Sequence, residues 1–247
     1  MKNIDLSIIL PTYNESENII EILKTIKTCL PKNMKSEVIV VDDNSPDGTG
    51  MLVQKYANFI RSIDYKVNII IRKNTTGLSS AILKGIKSSL GKIIIVMDSD
   101  FSHPPQHISK LVNMLNNSNS DIVIASRYMN GGKITNWPMN RKLMSHIATL
   151  MAKKSLKIKV TDPMSGFFAF KRKIISNLIF DAIGYKLLLE ILVKAKNIVV
   201  SESPYTFTDR KLGHSKLNFF TILNYIKMVL KLYKYKFMKN HEISTIL

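Results

Sequence analysis

Cysteine is almost missing from this chain, with Cys29 the only one in 247 residues. A disulfide framework and a cysteine-based structural zinc site are thereby excluded, and a reducing compartment suits the composition. Cys29 itself reads as a small apolar residue on a helix. Long hydrophobic runs are lacking too. The first, Ser7-Ile8-Ile9-Leu10, is broken at once by Pro11 and is too short for a signal sequence, which argues against secretion. Residues 217–226 form the longest nearly charge-free stretch near the end, below the roughly 20 residues that a bilayer crossing needs. Neither GxGxxG nor GxxxxGK(S/T) occurs, which disfavours a dinucleotide fold and a P-loop NTPase. Acidic residues are scarce: 18 Asp and Glu face 36 Lys and Arg, a formal charge of +18. Such an excess calls for an anionic partner, whether nucleic acid, acidic membrane or phosphorylated substrate. Near the C-terminus Lys227, Lys231, Lys234, Lys236 and Lys239 interleave with Met228, Val229, Leu230, Leu232, Tyr233, Tyr235 and Phe237. That pattern favours a membrane surface, reached by an interfacial helix, over a nucleic-acid duplex; a helix packed on the sheet with a solvated basic side is the alternative.

Short β-branched runs alternate with helical patterns through the first half. Residues 6–10, 38–41, 67–71, 93–97 and 122–125 read as strands without polar alternation, so both faces are expected to be covered. That is the pattern of a parallel sheet between helix layers. Asn14 with Glu17 reads as a capping box opening a helix to about Cys29, stopped by Pro31. Thr49 begins a helix toward Arg61, Gly77 to Leu90 gives a third, and Pro104-Pro105 starts a fourth. In the second half, residues 141–156 and 187–196 look helical, and 167–170, 198–200 and 205–207 extended. No linker, charge block or repeat divides the chain. The expected architecture is one α/β domain over residues 1–217, with a nucleotide-binding half to about 100 and an acceptor-binding half from 101. Residues 218–247 follow as an amphipathic, basic, membrane-associating helix.

Met97-Asp98-Ser99-Asp100 directly follows the apolar run 93–96. Side chains two apart on an extended segment point the same way, so Asp98 and Asp100 converge just past a strand end. Mg²⁺ and Mn²⁺ favour that arrangement and often take only one or two protein carboxylates. An isolated Asp-x-Asp reads equally as a solvated turn, so the neighbouring strand ends decide. Ligands of doubly wound sheets bind beyond the carboxyl ends of the strands. There the sequence places Pro11-Thr12-Tyr13-Asn14-Glu15, Asp42-Asp43-Asn44-Ser45-Pro46-Asp47-Gly48-Thr49 and Ser126-Arg127-Tyr128. The second could be only a turn and cap, yet three acids exceed what capping requires. His103 and His107 have the spacing of helix metal ligands without an acidic partner motif, so helix-start packing is expected of them.

Those strand ends, together with His103-Pro104-Pro105, Asp162-x-x-Ser165-Gly166-Phe167 and Arg210-x-x-Gly213-His214-Ser215-Lys216, closely resemble the family-2 inverting glycosyltransferases. Specifically, they look like dolichol-phosphate (polyprenol-phosphate) mannosyltransferases, over roughly residues 5–217. The resemblance implies a GT-A (Rossmann-like) fold with a mostly parallel sheet, GDP-mannose as donor, dolichyl or polyprenyl phosphate as acceptor, and Mg²⁺ or Mn²⁺. It implies work at the cytoplasmic face of the plasma membrane or endoplasmic reticulum. By analogy Pro11, Tyr13, Glu15, Val41 and Asp42 hold the nucleotide with Asp43 nearby, and Asp98 and Asp100 ligate the metal. Ser102 stands where relatives carry a Gln that completes the metal shell, and a hydroxyl is a poorer ligand. No transmembrane hairpin is expected, as in the shorter catalytic-subunit type, which leaves room for small membrane-anchoring partners. Glucosyl transfer from UDP-glucose is the near alternative; a non-catalytic basic module is the distant one.

The chemistry can also be argued from residue types. Displacing a nucleoside diphosphate requires charge stabilisation on the leaving phosphates, which a cation with Arg210 and Lys216 would supply. A hydroxyl acceptor needs a base. A phosphate acceptor is already ionised and needs cationic positioning instead. Arg127 and Arg141 are the candidates, with Ser145 one turn further along; each arginine alternatively pairs with a structural acid or lies on a solvated face. Trp137 with Pro138 would line the acceptor channel or fill a core. Glu190, an acid on an apolar helix, would orient a basic residue or satisfy a core arginine.

Overall fold

The computed structural model describes residues 3–60, 62–74, 77–181, 186–209 and 219–244, with backbone alone for 219–221 and 239–244. Strands and helices alternate through the first half: β1 Leu6–Thr12, α1 Ile19–Cys29, β2 Ser36–Asp42, α2 Thr49–Phe59, β3 Tyr65–Ile71, α3 Leu78–Ser88 and β4 Ile93–Val96. A 3-10 turn at Pro105–His107 leads into α4 Ile108–Asn117, then β5 Ile122–Ser126. The rest comprises β6 Lys133–Thr135, α5 Met139–Leu156, β7 Phe168–Lys171, α6 Leu187–Lys194, β8 Val200–Pro204, β9 Thr206–Thr208 and α7 Phe219–Ser244.

Seven strands form one sheet in the order β3-β2-β1-β4-β7-β5-β8, and β6 pairs with β9 beside it. β7 runs antiparallel to both β4 and β5, while the other pairings are parallel. Alternation along each strand sends neighbours to opposite helix layers. Ile8, Leu10, Val38, Val40 and Ile95 meet α1, α2 and α4; Ile9, Ile39, Val41, Ile94 and Val96 meet α3 and α6. Each such buried side chain contributes roughly 1.5–3 kcal/mol relative to exposure. Gly85 sets the distance between α3 and the sheet, because a Cβ there would lie 2.6 Å from Ile9 Cγ2.

Three sequence expectations are corrected. The first helix begins at Ile19, not at a capping box on Asn14, whose φ is 60°. The N–H groups of Asn14, Glu15 and Ser16 instead donate to Ser45 Oγ (3.0 Å), Thr49 Oγ1 (2.9 Å) and Asp47 Oδ2 (2.9 Å), so the loops after β1 and β2 are bonded together. β3 is not covered on both faces: it is an edge strand, and Ile71 is exposed. The extended segment expected at 198–200 is displaced, with the strand starting at Val200.

α7 lies on helices rather than on the sheet. Met228, Val229 and Leu232 are buried against Ala152, Leu156, Met164 and Leu189, and Tyr225 donates to the Ala148 carbonyl (2.6 Å). Ile222, Ile226, Leu230, Tyr233 and Phe237 form a second, exposed apolar stripe. Among the described residues no helix is long and apolar enough to cross a membrane.

Candidate active site

The strand order turns back on itself between β1 and β4, since β1 is flanked by β2 on one side and β4 on the other. Such a switch point opens a crevice at the carboxyl edge of the sheet. Asp98-Ser99-Asp100 enters it directly from β4, where Met97 N–H still bonds the Ile9 carbonyl (3.3 Å) and the Ser99 hydroxyl donates to the Pro11 carbonyl (3.4 Å). The Asp98 carboxylate is 39% exposed, turned toward the crevice, while His103 beneath it is buried. Asp98 N–H donates to His103 Nδ1 (2.8 Å), which leaves the imidazole proton on Nε2, 3.8 Å from Asp98 Oδ2. Burial pushes the His103 pKa down, outweighing Asp98 and Asp100, so the ring is a neutral prop. It stacks on Phe167 at 5.2 Å between centroids, with Tyr205 and Phe207 at its edges. This is the helix-start packing expected of it. Gly166 closes the floor: a Cβ there would meet His103 Cε1 at 3.0 Å and Asp98 Oδ2 at 3.7 Å.

Asp100 Oδ1 accepts bonds from Ser102 N–H (3.1 Å) and the Ser102 hydroxyl (2.5 Å). Ser102 thus holds the carboxylate from below. The protein offers hard oxygen donors here, and among the described residues no three His, Cys, Asp or Glu side chains converge as a metal cluster. Two carboxylates with room for water and phosphate oxygens fit Mg²⁺ or Mn²⁺ and do not fit a soft metal.

The nucleotide-side residues collect at the ends of β1 and β2. Asp42 is buried, with Oδ1 accepting from Thr12 Oγ1 (3.0 Å) and Ser45 Oγ (2.5 Å), and Oδ2 from Ser45 N–H (2.9 Å). Asp43 pairs with Arg72 through Nε (2.7 Å) and Nη2 and accepts from Gly77 N–H (2.9 Å). Both acids therefore brace loops. Pro11 and Val41 face each other in register and are buried, Val41 under α3; Tyr13 is exposed and Glu15 half-buried, accepting from Asn18 Nδ2 (3.1 Å). Arg210 and Lys216 lie outside the described residues.

On the other side of β4 a cationic group gathers. Arg127 donates through Nε (2.7 Å) and Nη2 (2.9 Å) to Asp162, which also accepts from the Arg127 N–H (3.1 Å). Burial alone would lower the Arg127 pKa, but Asp162 more than reverses this and raises it. The guanidinium stands over Tyr128, Trp137 and Phe207 at 5.3–5.7 Å. Arg141 bonds Asp209 (2.6 Å) and lies 4.2 Å from the centre of Trp137. Ser145 accepts from the Tyr128 hydroxyl (2.8 Å). Trp137 thus lies among these arginines. Glu190 satisfies Lys194 (2.6 Å) and Asp181 N–H (2.8 Å), not an arginine.

Sequence reasoning missed Lys186. Its ammonium donates to the Met164 carbonyl (3.0 Å), and the nearby charges are Arg127, Asp162, Asp98 and Arg141. The signal available was a lysine at the start of the apolar run Leu187-Leu188-Leu189, where a helix N-terminus disfavours positive charge.

A carboxylate pair at the switch point of a largely parallel sheet, faced by arginines across one strand, is the layout of a nucleotide-sugar transferase. The chain belongs to glycosyl transferase family 2, whose model matches residues 7–179. It is 42% identical over 94% of its length to a dolichol-phosphate mannosyltransferase of Pyrococcus furiosus, and it spans 64% of that protein. A dolichol-phosphate mannosyltransferase of Saccharomyces cerevisiae is 36% identical, with 98% of this chain and 91% of the relative covered. Among solved structures, glucosyl-3-phosphoglycerate synthase from Mycobacterium tuberculosis with Mn²⁺, UDP-glucose and phosphoglyceric acid aligns with a TM-score of 0.66 at 18% identity, covering 94% of this chain and 79% of that one. The same enzyme with Mg²⁺ and UDP gives 0.65, again covering 94% and 79%. These likenesses bear on the fold, a GT-A-like α/β sheet.

Proposed function

We propose that this chain transfers mannose from GDP-mannose, with inversion, to the phosphate of a dolichyl or polyprenyl lipid at the cytoplasmic face of a membrane. The observation that carries the reading is the pairing of unlike charge at the carboxyl edge of the sheet: the Asp98 carboxylate is open to the crevice just past β4, and Arg127 and Arg141 gather around Trp137 on the β5 side. Acids alone would repel a diphosphate, so a donor that arrives with a divalent cation fits them. Mg²⁺ or Mn²⁺ held by Asp98 and Asp100 would add positive charge to the departing diphosphate. The names of the relatives support the mannosyl donor and dolichol phosphate, and the metals of the Mycobacterium tuberculosis enzyme support the cation.

On this reading residues to about 100 serve the nucleotide and residues 101–217 the acceptor. Pro11, Tyr13, Glu15, Val41, Asp42 and Asp43 shape the nucleotide wall. Ser102 acts by steering Asp100, with Arg210 and Lys216 toward the donor phosphates. Arg127 and Arg141, with Ser145, orient the acceptor phosphate. An acceptor phosphate oxygen attacks the anomeric carbon, the bond to the β-phosphate oxygen breaks, and its electron pair leaves on GDP. No general base is needed, because the acceptor is already ionised.

Met139, Leu143, Ile147 and Leu150 form an exposed apolar stripe on α5, the helix that carries Arg141 and Ser145. With the outer stripe of α7 and its lysines, it supports docking on an acidic lipid surface, alone or beside small anchoring subunits. A radiolabel assay with full-length protein, Mn²⁺ or Mg²⁺ and farnesyl phosphate decides the donor. Labelled GDP-mannose should yield a mannosyl-phosphoryl lipid and UDP-glucose should not. Turnover of UDP-glucose alone would replace the donor, and an inert protein would overturn the reading.

A further inference from the structure

α5 carries Arg141 and Ser145, yet the sheet does not hold it. Among the described residues none of its side chains joins the two apolar clusters on the sheet; Ala152 and Leu156, with Ala148, pack instead in a third cluster with Met164, Leu189 and Met228, Val229 and Leu232 of α7. Two polar bonds run the same way. Tyr225 of α7 donates to the Ala148 carbonyl (2.6 Å), and the Lys236 ammonium donates to the Leu156 carbonyl (2.7 Å) at the end of α5, where a cation suits the helix dipole. Nearer its N-terminus α5 meets the rest of the protein through polar contacts, Arg141 with Asp209 and Ser145 with Tyr128.

α7 is itself moored to α6, which lies on the sheet through Leu187, Leu188 and Ile191. Lys231 donates to Asp181 Oδ1 (2.7 Å), and Asp181 Oδ2 accepts from Lys194 (2.9 Å), which also pairs with Glu190 (2.6 Å) one turn earlier on α6. Glu190 in turn accepts from Asp181 N–H (2.8 Å), so two acids and two lysines balance each other. One turn on from Lys231, Tyr235 faces the same cluster, its ring centre 5.5 Å from the Lys194 ammonium. Lys231 is half-exposed, and so open an ion pair contributes little to stability. Its value is geometric. From Ala148 and Leu156 to Arg141 runs a lever of roughly 10–22 Å at about 1.5 Å per residue, so a tilt of about 5° where α7 grips moves the guanidinium by about 1–2 Å. A misplacement near 1 Å in a substrate-positioning group can cost about 10²-fold. We propose that Asp181 is a positioning residue for transfer: by holding Lys231 it seats α7 on α6, and α7 fixes the tilt of α5 and with it the place of Arg141 and Ser145. This rests on the reading of those two residues as facing the acceptor phosphate.

The test uses the full chain with Asp181→Ala, Asp181→Glu, Lys231→Met and the double variant Asp181→Ala/Lys231→Met. The probes are GDP with Mn²⁺ and detergent-dispersed farnesyl phosphate, so that no membrane contact enters the readout. Asp181→Ala and Lys231→Met should each raise the farnesyl phosphate KM for transfer from GDP-mannose by about 2- to 30-fold, the range for residues that couple to a site without touching it. The double variant should be no worse than the more affected single one, because both break one link. GDP–Mn²⁺ affinity should stay unchanged, and Asp181→Glu should keep most acceptor binding. Trp137, whose ring centre lies 4.2 Å from the Arg141 guanidinium, should shift its emission in the ligand-free Asp181→Ala and Lys231→Met proteins. Losses that add in the double variant overturn the assignment, as does unshifted emission. Equal losses of GDP and farnesyl phosphate would mark general destabilisation and overturn it too. If wild type transfers sugar and the variants match it, the positioning role alone is wrong; if wild type transfers none to any prenyl phosphate, the functional reading fails and the positioning role falls with it.

Discussion

Removing the carboxylate of Asp162 tests how the arginine group beside β5 is built. Asp162 is fully buried and accepts three N–H bonds from Arg127, whose guanidinium is itself only 8% exposed. Hydrogen bonds to a charged group contribute about 1.5–3 kcal/mol each, so simple addition gives roughly 4.5–9 kcal/mol. That sum overcounts, because the bonds share one acceptor and water enters the space left by truncation. The better guide is the stranded charge: breaking a buried ion pair by removing one partner costs about 3–5 kcal/mol. Asp162→Ala should therefore lose a large part of the 5–15 kcal/mol typical of a folded domain, about 3–5 kcal/mol. Trp137 is the only tryptophan and lies 5.7 Å from the Arg127 guanidinium, so its fluorescence reports on this site. With a urea slope near 3 kcal/mol/M, the midpoint should fall by about 1–1.7 M. Adding Arg127→Met should recover part of the loss by removing the stranded charge. A single variant within about 0.3 M of wild type, or a double variant no more stable than Asp162→Ala, refutes the reasoning.

Gly166→Ala should push His103 and Asp98 apart and destabilise by about 1–3 kcal/mol with loss of transfer, read by thermal unfolding and turnover together; an active, equally stable variant contradicts the close approach. Asp100→Asn should cut turnover about 10²–10³-fold with folding preserved, and activity near wild type would remove Asp100 from the site. Burial, aided by Lys110, lowers the His107 pKa to about 4 from 6.5, and its ring packs on Phe167 and Tyr205. Its stabilising share is full above about pH 6.5 and is lost as pH falls toward 4, so urea midpoints should drop across that window, and less in His107→Gln. Replacing Leu143 and Ile147 by Ser should weaken pelleting with anionic vesicles while leaving transfer to detergent-dispersed farnesyl phosphate intact; undiminished pelleting counts against α5 as a docking face.

The alternation of β-branched runs with helices made the parallel part of the sheet legible, and Asp98 and Asp100 stood out as the acids that follow one such run, although β4 ends at Val96 and they lie in the bend beyond it rather than on an extended segment. What escaped was set by contacts distant in sequence. Asn14 looks like a cap locally, yet its loop is bonded to Ser45, Asp47 and Thr49 about thirty residues on. Residues 167–170 read as extended from the sequence, but the antiparallel insertion of this segment depends on β4 and β5 as partners. Arg127 carried two readings, and only the fold brings Asp162 to it. Lys186 has no motif around it, so its meaning depends on which charges surround it in space.

β7 has a consequence for how the molecule comes into being. β4 and β5 do not touch in the sheet; the strand between them is synthesised after both. Until residues 168–171 emerge, β4 has one open edge and β5 has no neighbour on that side, a state prone to mispairing. A chain cut between β5 and β7 would strand that edge permanently. The donor and acceptor portions are proposed to serve different substrates, but they are expected to mature as one unit, with the middle of the sheet closed late.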